Sequence, residues 1–306
     1  MPHGGDIRLA NHHRFWLYIR ESGAALRQYL VTECQMNTQV NIPMDIRALS
    51  QTYERDGYIG GVPILSPESA AQHRASMEAA EEKIGSLHYK SKAHTILTSP
   101  LQLATDPTVL DIVESMIGPD ILLYNVTYII KEANAPSHVS WHQDLTYWGL
   151  SHDDQVSMWL ALTVADDVSG CMRMLPGSHK HGRYDHETTE DDSNVLLQGQ
   201  TVRGIDEDKA VLCPLQPGEA SFHHGWTLHA SMPNRSNDRR IGLNVQYIAP
   251  HVKQTKHDRD TVMLVRGEDR HNNYGYDRPA EADLEPAALE HQRYLEDLHR
   301  ETAGTS

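Results

Sequence analysis

The chain has 306 residues, with 27 Lys and Arg against 42 Asp and Glu, a formal charge of −15 with histidine neutral. Hydrophobic residues at 39% exclude a disordered chain, and the acidic balance argues against nucleic acid as a partner, because phosphate contacts need clustered Lys and Arg. No run approaches the ~18 apolar residues of a membrane helix, the start MPHGGDIRLANHHRF lacks the apolar core of a secretion signal, and Cys34, Cys171 and Cys213 form no Cys-x-x-Cys pair, so the expectation is a cytoplasmic protein with buried thiols, no membrane partner and no disulfide framework.

Residues 1–44 read as a helical extension, with apolar residues at helical spacing over 14–31. A short helix is predicted over 45–58, ending near Gly57, followed by a strand over 58–65. Ser66-Pro67-Glu68 opens a second helix that runs to about Gly85, with Ser as N-cap and Pro in the first turn. Asp106-Pro107 repeats that signal, and 108–118 ends at a glycine suited to a C-cap. Beyond 120 the pattern turns to short β-branched and aromatic segments, 121–130, 155–164, 209–215, 219–224 and 240–248, separated by turn clusters such as PGSHKHG and PNRSND. A helical first third followed by many short strands predicts an antiparallel sandwich or barrel with helices on one side. HETTEDDSN (186–194) reads as a solvated loop, and 279–306 as one exposed, charged helix. The length is best accounted for by one domain, 45–278, between the two flanking segments.

Histidine is over-represented, with 20 in the chain. A His-x-Asp tripeptide with a distant His is a device for holding ferrous iron on one face of an octahedron, leaving positions open. On an extended strand, residues i and i+2 point the same way. The tripeptide occurs at His142-Gln143-Asp144, in an apolar neighbourhood, and at His152-Asp153-Asp154, in a polar turn that reads as a solvated loop. For the first, the bland alternative is a buried His–Asp hydrogen bond without metal. A third ligand must come from His223, His224 or His229. Eleven residues after His229, Arg240 begins a strand; a hairpin return would bring its guanidinium to the site, where it suits a carboxylate. Arg239 competes with it, since neighbouring strand residues face opposite ways.

The segments GYIGGVPILSPE, SWHQD, SGCMRMLPGSHKHG, PGEASFHH and HASMPNRSNDRRIGLNVQYI, in this order over about 45–250, resemble the phytanoyl-CoA dioxygenase-like family of Fe(II)/2-oxoglutarate-dependent oxygenases. The resemblance implies a mainly β fold with helical additions, its core a double-stranded β-helix (jelly roll, cupin-like) with helices packed on one sheet. It also implies His142, Asp144 and His229 as iron ligands, Arg240 and Ser231 on the distal carboxylate of 2-oxoglutarate, and Asn125 and Trp148 beside the co-substrate. It leaves His223 and His224 as strand-end residues, Trp141 and Trp159 as core, and His179 and His181 as rim residues. Halogenating relatives carry Gly or Ala in place of the carboxylate, and Asp144 argues against that chemistry. The implied reaction consumes O2 and 2-oxoglutarate, releases succinate and CO2, and hydroxylates an unactivated C–H bond of a small molecule held by the barrel mouth and the loops at 145–154 and 180–205. Desaturation, cyclisation and epimerisation share that site. A redox-silent cupin-like isomerase or hydrolase and a non-catalytic jelly-roll binding protein compete with this reading. Nothing in the sequence assigns an oligomeric state.

Overall fold

The computed structural model describes residues 44–303, apart from 190, 192 and 197–199. The extension, its predicted helix at 14–31 and Cys34 lie outside the described residues. Helix α1 (Ile46–Asp56) starts where Asp45 accepts a hydrogen bond from the Ala48 N–H at 3.1 Å, and stops at Gly57, whose φ of 79° suits only a residue without Cβ. Helix α2 (Pro67–Ile84) is capped by the Ser66 hydroxyl. Helix α3 (Thr98–Ala104) has no side-chain cap and carries none of the start signals that predicted its neighbours. Helix α4 (Pro107–Ile117) begins at Asp106, whose carboxylate accepts from the N–H groups of Thr108 and Val109.

Among the described residues seven strands form the major sheet, in the order β1 (Tyr58–Pro63), β9 (Glu219–His224), β4 (Gln155–Ala161), β11 (Arg240–Ile248), β2 (Ile121–Lys131), β12 (Thr261–Arg266) and β13 (Gly275–Tyr276). A smaller sheet runs β3 (Val139–His142), β10 (His229–Ser231), β5 (Met172–Met174) and β8 (Val211–Cys213). A two-stranded ribbon, β6 (Glu187–Thr188) with β7 (Gln200–Thr201), lies within the stretch expected to be loop. The core is the mainly β, cupin-like jelly roll, and the described residues belong to one compact unit.

The central strands β2, β4 and β11 of the major sheet are buried on both faces, and a period of two divides their residues. On β11, Ile241, Leu243, Val245 and Tyr247 join Val126, Tyr128 and Ile130 of β2 in one apolar cluster with Met77 of α2 and Val109, Ile112 and Val113 of α4. Each such side chain contributes about 1.5–3 kcal/mol by leaving water. The alternate residues, Arg240, Asn244 and Gln246 on β11 with Asn125 and Thr127 on β2, line a cavity inside the barrel. A polar inner face beneath a fully apolar outer one is costly to burial and marks the cavity as the site of function. Gly242 shares that inner face, and a Cβ there would collide with the Trp159 indole. The glycine therefore lets Trp159 lie under Arg240, its ring 5.0 Å from the guanidinium carbon.

Two expectations fail. His229 and Arg240 do not face each other across a hairpin: β10 belongs to the minor sheet and β11 to the major one, so the turn between them crosses from sheet to sheet. The C-terminal helix, α6 in chain order after the short α5 (Leu145–Trp148), spans Pro286–Ala303 and is not simply exposed. It buries Gln292, Leu295 and Leu298, and its Gln292 amide donates to the Ser91 carbonyl at 2.8 Å.

The segment around Ser91 is held from the same side by a buried ion pair. Lys92, in left-handed conformation, donates through Nζ to Asp277 (3.0 Å) and to the carbonyls of Tyr124 and Thr261. Its own N–H donates to the Asn125 side-chain oxygen at 2.8 Å. Burial alone would raise the Asp277 pKa, but the charge of Lys92 and a hydrogen bond from His94 outweigh it and hold the carboxylate well below its ordinary range. A depressed carboxylate pKa stabilises the fold above the unfolded value of about 4 and loses that contribution as pH falls below it. Asp277→Asn should therefore cost on the order of 3 kcal/mol at neutral pH, read from denaturant midpoints, and the deficit against wild type should shrink as the titration is repeated toward pH 3.

Candidate active site

His142 is the last residue of β3 and His229 the first of β10, and the two are directly paired in the antiparallel register. Their rings sit 4.1 Å apart. Each Nδ1 lies against a backbone carbonyl two residues earlier, His142 on Ser140 (2.9 Å) and His229 on Thr227 (3.0 Å). Those bonds assign the proton to Nδ1 and leave the Nε2 lone pairs facing the cavity, the tautomer that a metal-binding imidazole requires. Burial first, then the neighbouring His142, pulls the His229 pKa well below the ordinary imidazole value, so that ring is neutral.

Asp144 reaches the same point by a different route from the expected one. His142 and Asp144 do not lie on one extended strand: the strand ends at His142, and Asp144 has helical dihedrals at the start of α5. What turns the chain is Gln143. It is fully buried, its amide donates to the carbonyls of Gly182 and Trp226 (2.7 Å each), and its oxygen accepts from the Tyr184 N–H at 2.7 Å. The middle residue of the tripeptide is thus an anchor to two neighbouring loops. Asp144 Oδ1 lies 3.4 Å from His142 Nε2 and 3.7 Å from His229 Nε2, and the three potential ligand atoms are all within 4.8 Å of one another. Among the described residues no other group of His, Cys, Asp and Glu meets that test.

The second oxygen of Asp144 is occupied by protein. Ser157 Oγ donates to it at 3.1 Å, and Gln155 Nε2 donates in turn to Ser157. His223 Nε2 lies 3.3 Å from the same oxygen. Burial would raise the Asp144 pKa, but the hydrogen bond from His223 and the nearby imidazoles outweigh it and hold the carboxylate well below its ordinary range. The expectation that His223 is only a strand-end residue is corrected: it lines the cavity and clamps the carboxylate. Two imidazole Nε2 atoms and one carboxylate oxygen, each side chain fixed by a hydrogen bond on its far side, fit a divalent iron. His224, by contrast, stands near the surface by Asp153 and His179, and His152 is exposed and bonded to Ser151.

The other end of the cavity, about 160 Å³ in volume, is cationic. Arg240 is 1% exposed, and its Nε and one terminal nitrogen have no hydrogen-bond partner. Burial pulls its pKa down to about 10, leaving it charged at neutral pH. A buried, charged donor pair without an acceptor is costly and calls for an anion of matching fork geometry. Arg239 points outward to Glu132 and Glu81, 2.9 Å from each. Ser231 lines the cavity, and its Oγ accepts from Lys131 Nζ at 2.8 Å. Lys131 stands opposite Arg240 in the sheet register, and burial followed by the Arg240 charge pulls its pKa down to about 6. Asn125 lines the same wall with its oxygen taken by the N–H groups of Lys92 and Val126, so it presents its amide hydrogens. Trp148 closes one side, and Trp159, left out of the expected site as a candidate for the core, also reaches the cavity. Tyr89 and Tyr147 border it too; Tyr89 has a φ of 56°, a strained value for a residue with a side chain. Neither tyrosine, nor Lys131, nor Gln143 stands out in the sequence. The buried lysine at the end of an apolar strand was the signal available for Lys131.

His223 offers a direct check. His223→Leu should weaken binding of Mn(II) or Co(II) by about 10–100-fold while leaving the thermal midpoint near that of wild type, and His223→Gln, which keeps a donor, should recover part of the loss. An unchanged metal dissociation constant in His223→Leu would remove the clamp.

Comparison with known proteins identifies relatives over much of the chain. The model of the phytanoyl-CoA dioxygenase (PhyH) family matches residues 53–242. A probable alpha-ketoglutarate-dependent hypophosphite dioxygenase of Stutzerimonas stutzeri is 31% identical over 150 residues, 48% of this chain and 52% of that protein. The peroxisomal phytanoyl-CoA dioxygenase of Bos taurus is 27% identical over 53% of this chain and 52% of its own length. The chain thus spans about half the length of these two curated relatives. The 1-deoxypentalenic acid 11-beta-hydroxylase of Streptomyces arenae is 25% identical over 63% of this chain and 77% of its own. Among solved structures, the non-heme monooxygenase ThoJ superposes with a TM-score of 0.75 at 29% identity, covering 84% of this chain and 97% of ThoJ. CytC3 with Fe(II) and alpha-ketoglutarate, at 22% identity, shares the fold with a TM-score of 0.61 over 78% of this chain and 94% of its own. The chain belongs to the phytanoyl-CoA dioxygenase family.

Proposed function

We propose that the protein is a non-haem Fe(II)- and 2-oxoglutarate-dependent dioxygenase that hydroxylates an unactivated C–H bond of a small metabolite. One observation carries the reading: two imidazole Nε2 atoms and a carboxylate oxygen converge on a cavity that also holds Arg240, whose Nε and one terminal nitrogen find no hydrogen-bond partner among the described residues. His142, Asp144 and His229 would hold the iron, and Arg240 and Ser231 the distal carboxylate of 2-oxoglutarate. Iron and co-substrate, when bound, supply the oxygen activation and the oxidising power. The protein's own part is placement and exclusion of water. Gln143 and the β3–β10 register fix the ligand triangle, His223 and Ser157 hold one carboxylate oxygen away from it, and Asn125 and Trp148 wall the co-substrate. A redox-silent metalloenzyme or a non-catalytic binding protein would give the Arg240 end of the cavity no task.

The substrate side favours a small molecule with little anionic character. Of the described residues lining the cavity, Arg240 is the one Lys or Arg, and the reading assigns it to the co-substrate. Val139, Met172, Leu196, Tyr89 and Tyr147 offer apolar surface with two phenols for orientation. A polyanionic CoA ester finds no cationic cluster there.

The test is succinate release from metal-free protein given Fe(II), 2-oxoglutarate and oxygen, with and without candidate substrates. Wild type should form succinate. Asp144→Gly should abolish it, and Arg240→Ala should raise the 2-oxoglutarate requirement by about 100-fold, the loss of a charge-assisted two-point contact worth roughly 3 kcal/mol. No succinate under any of these conditions would sink the proposal, and an unchanged 2-oxoglutarate requirement in Arg240→Ala would remove that residue from the site.

A further inference from the structure

The cavity's cationic end holds a second basic residue that does not itself border it. Lys131 is 1% exposed, and its Nζ has acceptors on three sides: Ser231 Oγ at 2.8 Å, the Met232 carbonyl at 2.5 Å and, more distantly, the Ser231 carbonyl at 3.4 Å. That environment suits the three hydrogens of an ammonium and spends them on protein. A hydroxyl has one hydrogen to give. With Lys131 donating to one lone pair of Ser231 Oγ, the serine's own hydrogen is directed away from the lysine, on the side where Ser231 lines the cavity. Lys131 and Arg240 face each other across β2 and β11, and an anion at this end lessens the repulsion between them, which favours the ammonium form.

We infer that Lys131 is a positioning residue for the co-substrate: it aims the Ser231 hydroxyl at the distal carboxylate of 2-oxoglutarate and adds positive charge behind it. This rests on the proposed co-substrate reading of the cavity. Lys131 thereby sets how strongly the site prefers a dicarboxylic 2-oxo acid over a 2-oxo acid without the distal carboxylate.

The experiment measures dissociation constants of 2-oxoglutarate and of pyruvate for Ni(II)-loaded protein by calorimetry. Wild type should prefer 2-oxoglutarate by about 100-fold. Lys131→Met should lose at least about 10-fold of that preference with pyruvate and Ni(II) binding unchanged. Ser231→Ala should lose a similar amount, and the double variant should lose little more than either, because both act through one hydroxyl. A Lys131→Met protein that keeps the full preference overturns the inference, as does one that binds pyruvate or Ni(II) equally less well, which marks a structural role. If Lys131→Met does not fold, Lys131→Gln is measured in its place, and a preference equal to that of wild type overturns the role of the charge. A wild-type protein that binds both acids equally overturns the co-substrate reading itself, a result distinct from failure of Lys131 alone.

Discussion

The pairing of two short strands, β3 and β10, sets the geometry on which the site depends. Their antiparallel register places His142 directly beside His229, and a backbone carbonyl two residues before each histidine chooses the same tautomer for both rings. Everything else is referred to that pair. Gln143 ends the strand and turns the chain so that Asp144 arrives at the imidazoles from a helical turn. Ser231, two residues along β10, is carried to the opposite end of the cavity, where Arg240 waits on the facing sheet. Short strands have few ladder bonds of their own, so this register leans on its surroundings. Gln143 reaching Gly182 and Trp226 supplies one such support.

Charge is distributed along the cavity in a way that only bound groups complete. One end gathers a carboxylate held ionised and the Nε2 atoms of two imidazoles, a set that suits a divalent cation. The other holds Arg240 without a counter-ion and Lys131 close behind it. In a dry interior both ends are costly to the empty protein. A metal ion and a dicarboxylic acid satisfy both, so the bound state should be markedly more stable than the empty one, through mass action alone.

The sequence made much of this legible, and unevenly. Helices α2 and α4 announced themselves by Ser66-Pro67 and Asp106-Pro107, and α1 by its stop near Gly57, because a cap is a local event written in adjacent residues. The long strands β2 and β11 were visible as β-branched and aromatic runs. Short α3, β3, β5 and α5 were not, since three to seven residues carry too little periodicity. His142, Asp144, His229 and Arg240 were picked out by spacing and by a resemblance, and the structure brings all four to one cavity. The reasons first attached to that spacing were wrong in two places: Asp144 does not share a strand with His142, and Arg240 does not return across a hairpin. His223, Lys131 and Gln143 were missed because their roles come from partners far away in sequence. His223 meets Asp144 from 79 residues away and Lys131 meets Ser231 from 100. No local pattern encodes such pairs.

The segment 88–96 forms one wall of the cavity and is secured from two sides, by β2 through Tyr124, Asn125 and Tyr128 and by residues 277–296. Asp277 pairs with Lys92, the Ala280 and Leu284 N–H groups donate to the carbonyls of His94 and Ile96, and Gln292 and Glu296 hold Ser91 and Lys90. These contacts close loops of nearly two hundred residues, the slowest kind to find. During synthesis the ligand triangle and Arg240 would leave the ribosome well before α6 does. The barrel's metal-binding end can therefore assemble while this wall is still open, and α6 acts as the latch that completes the wall.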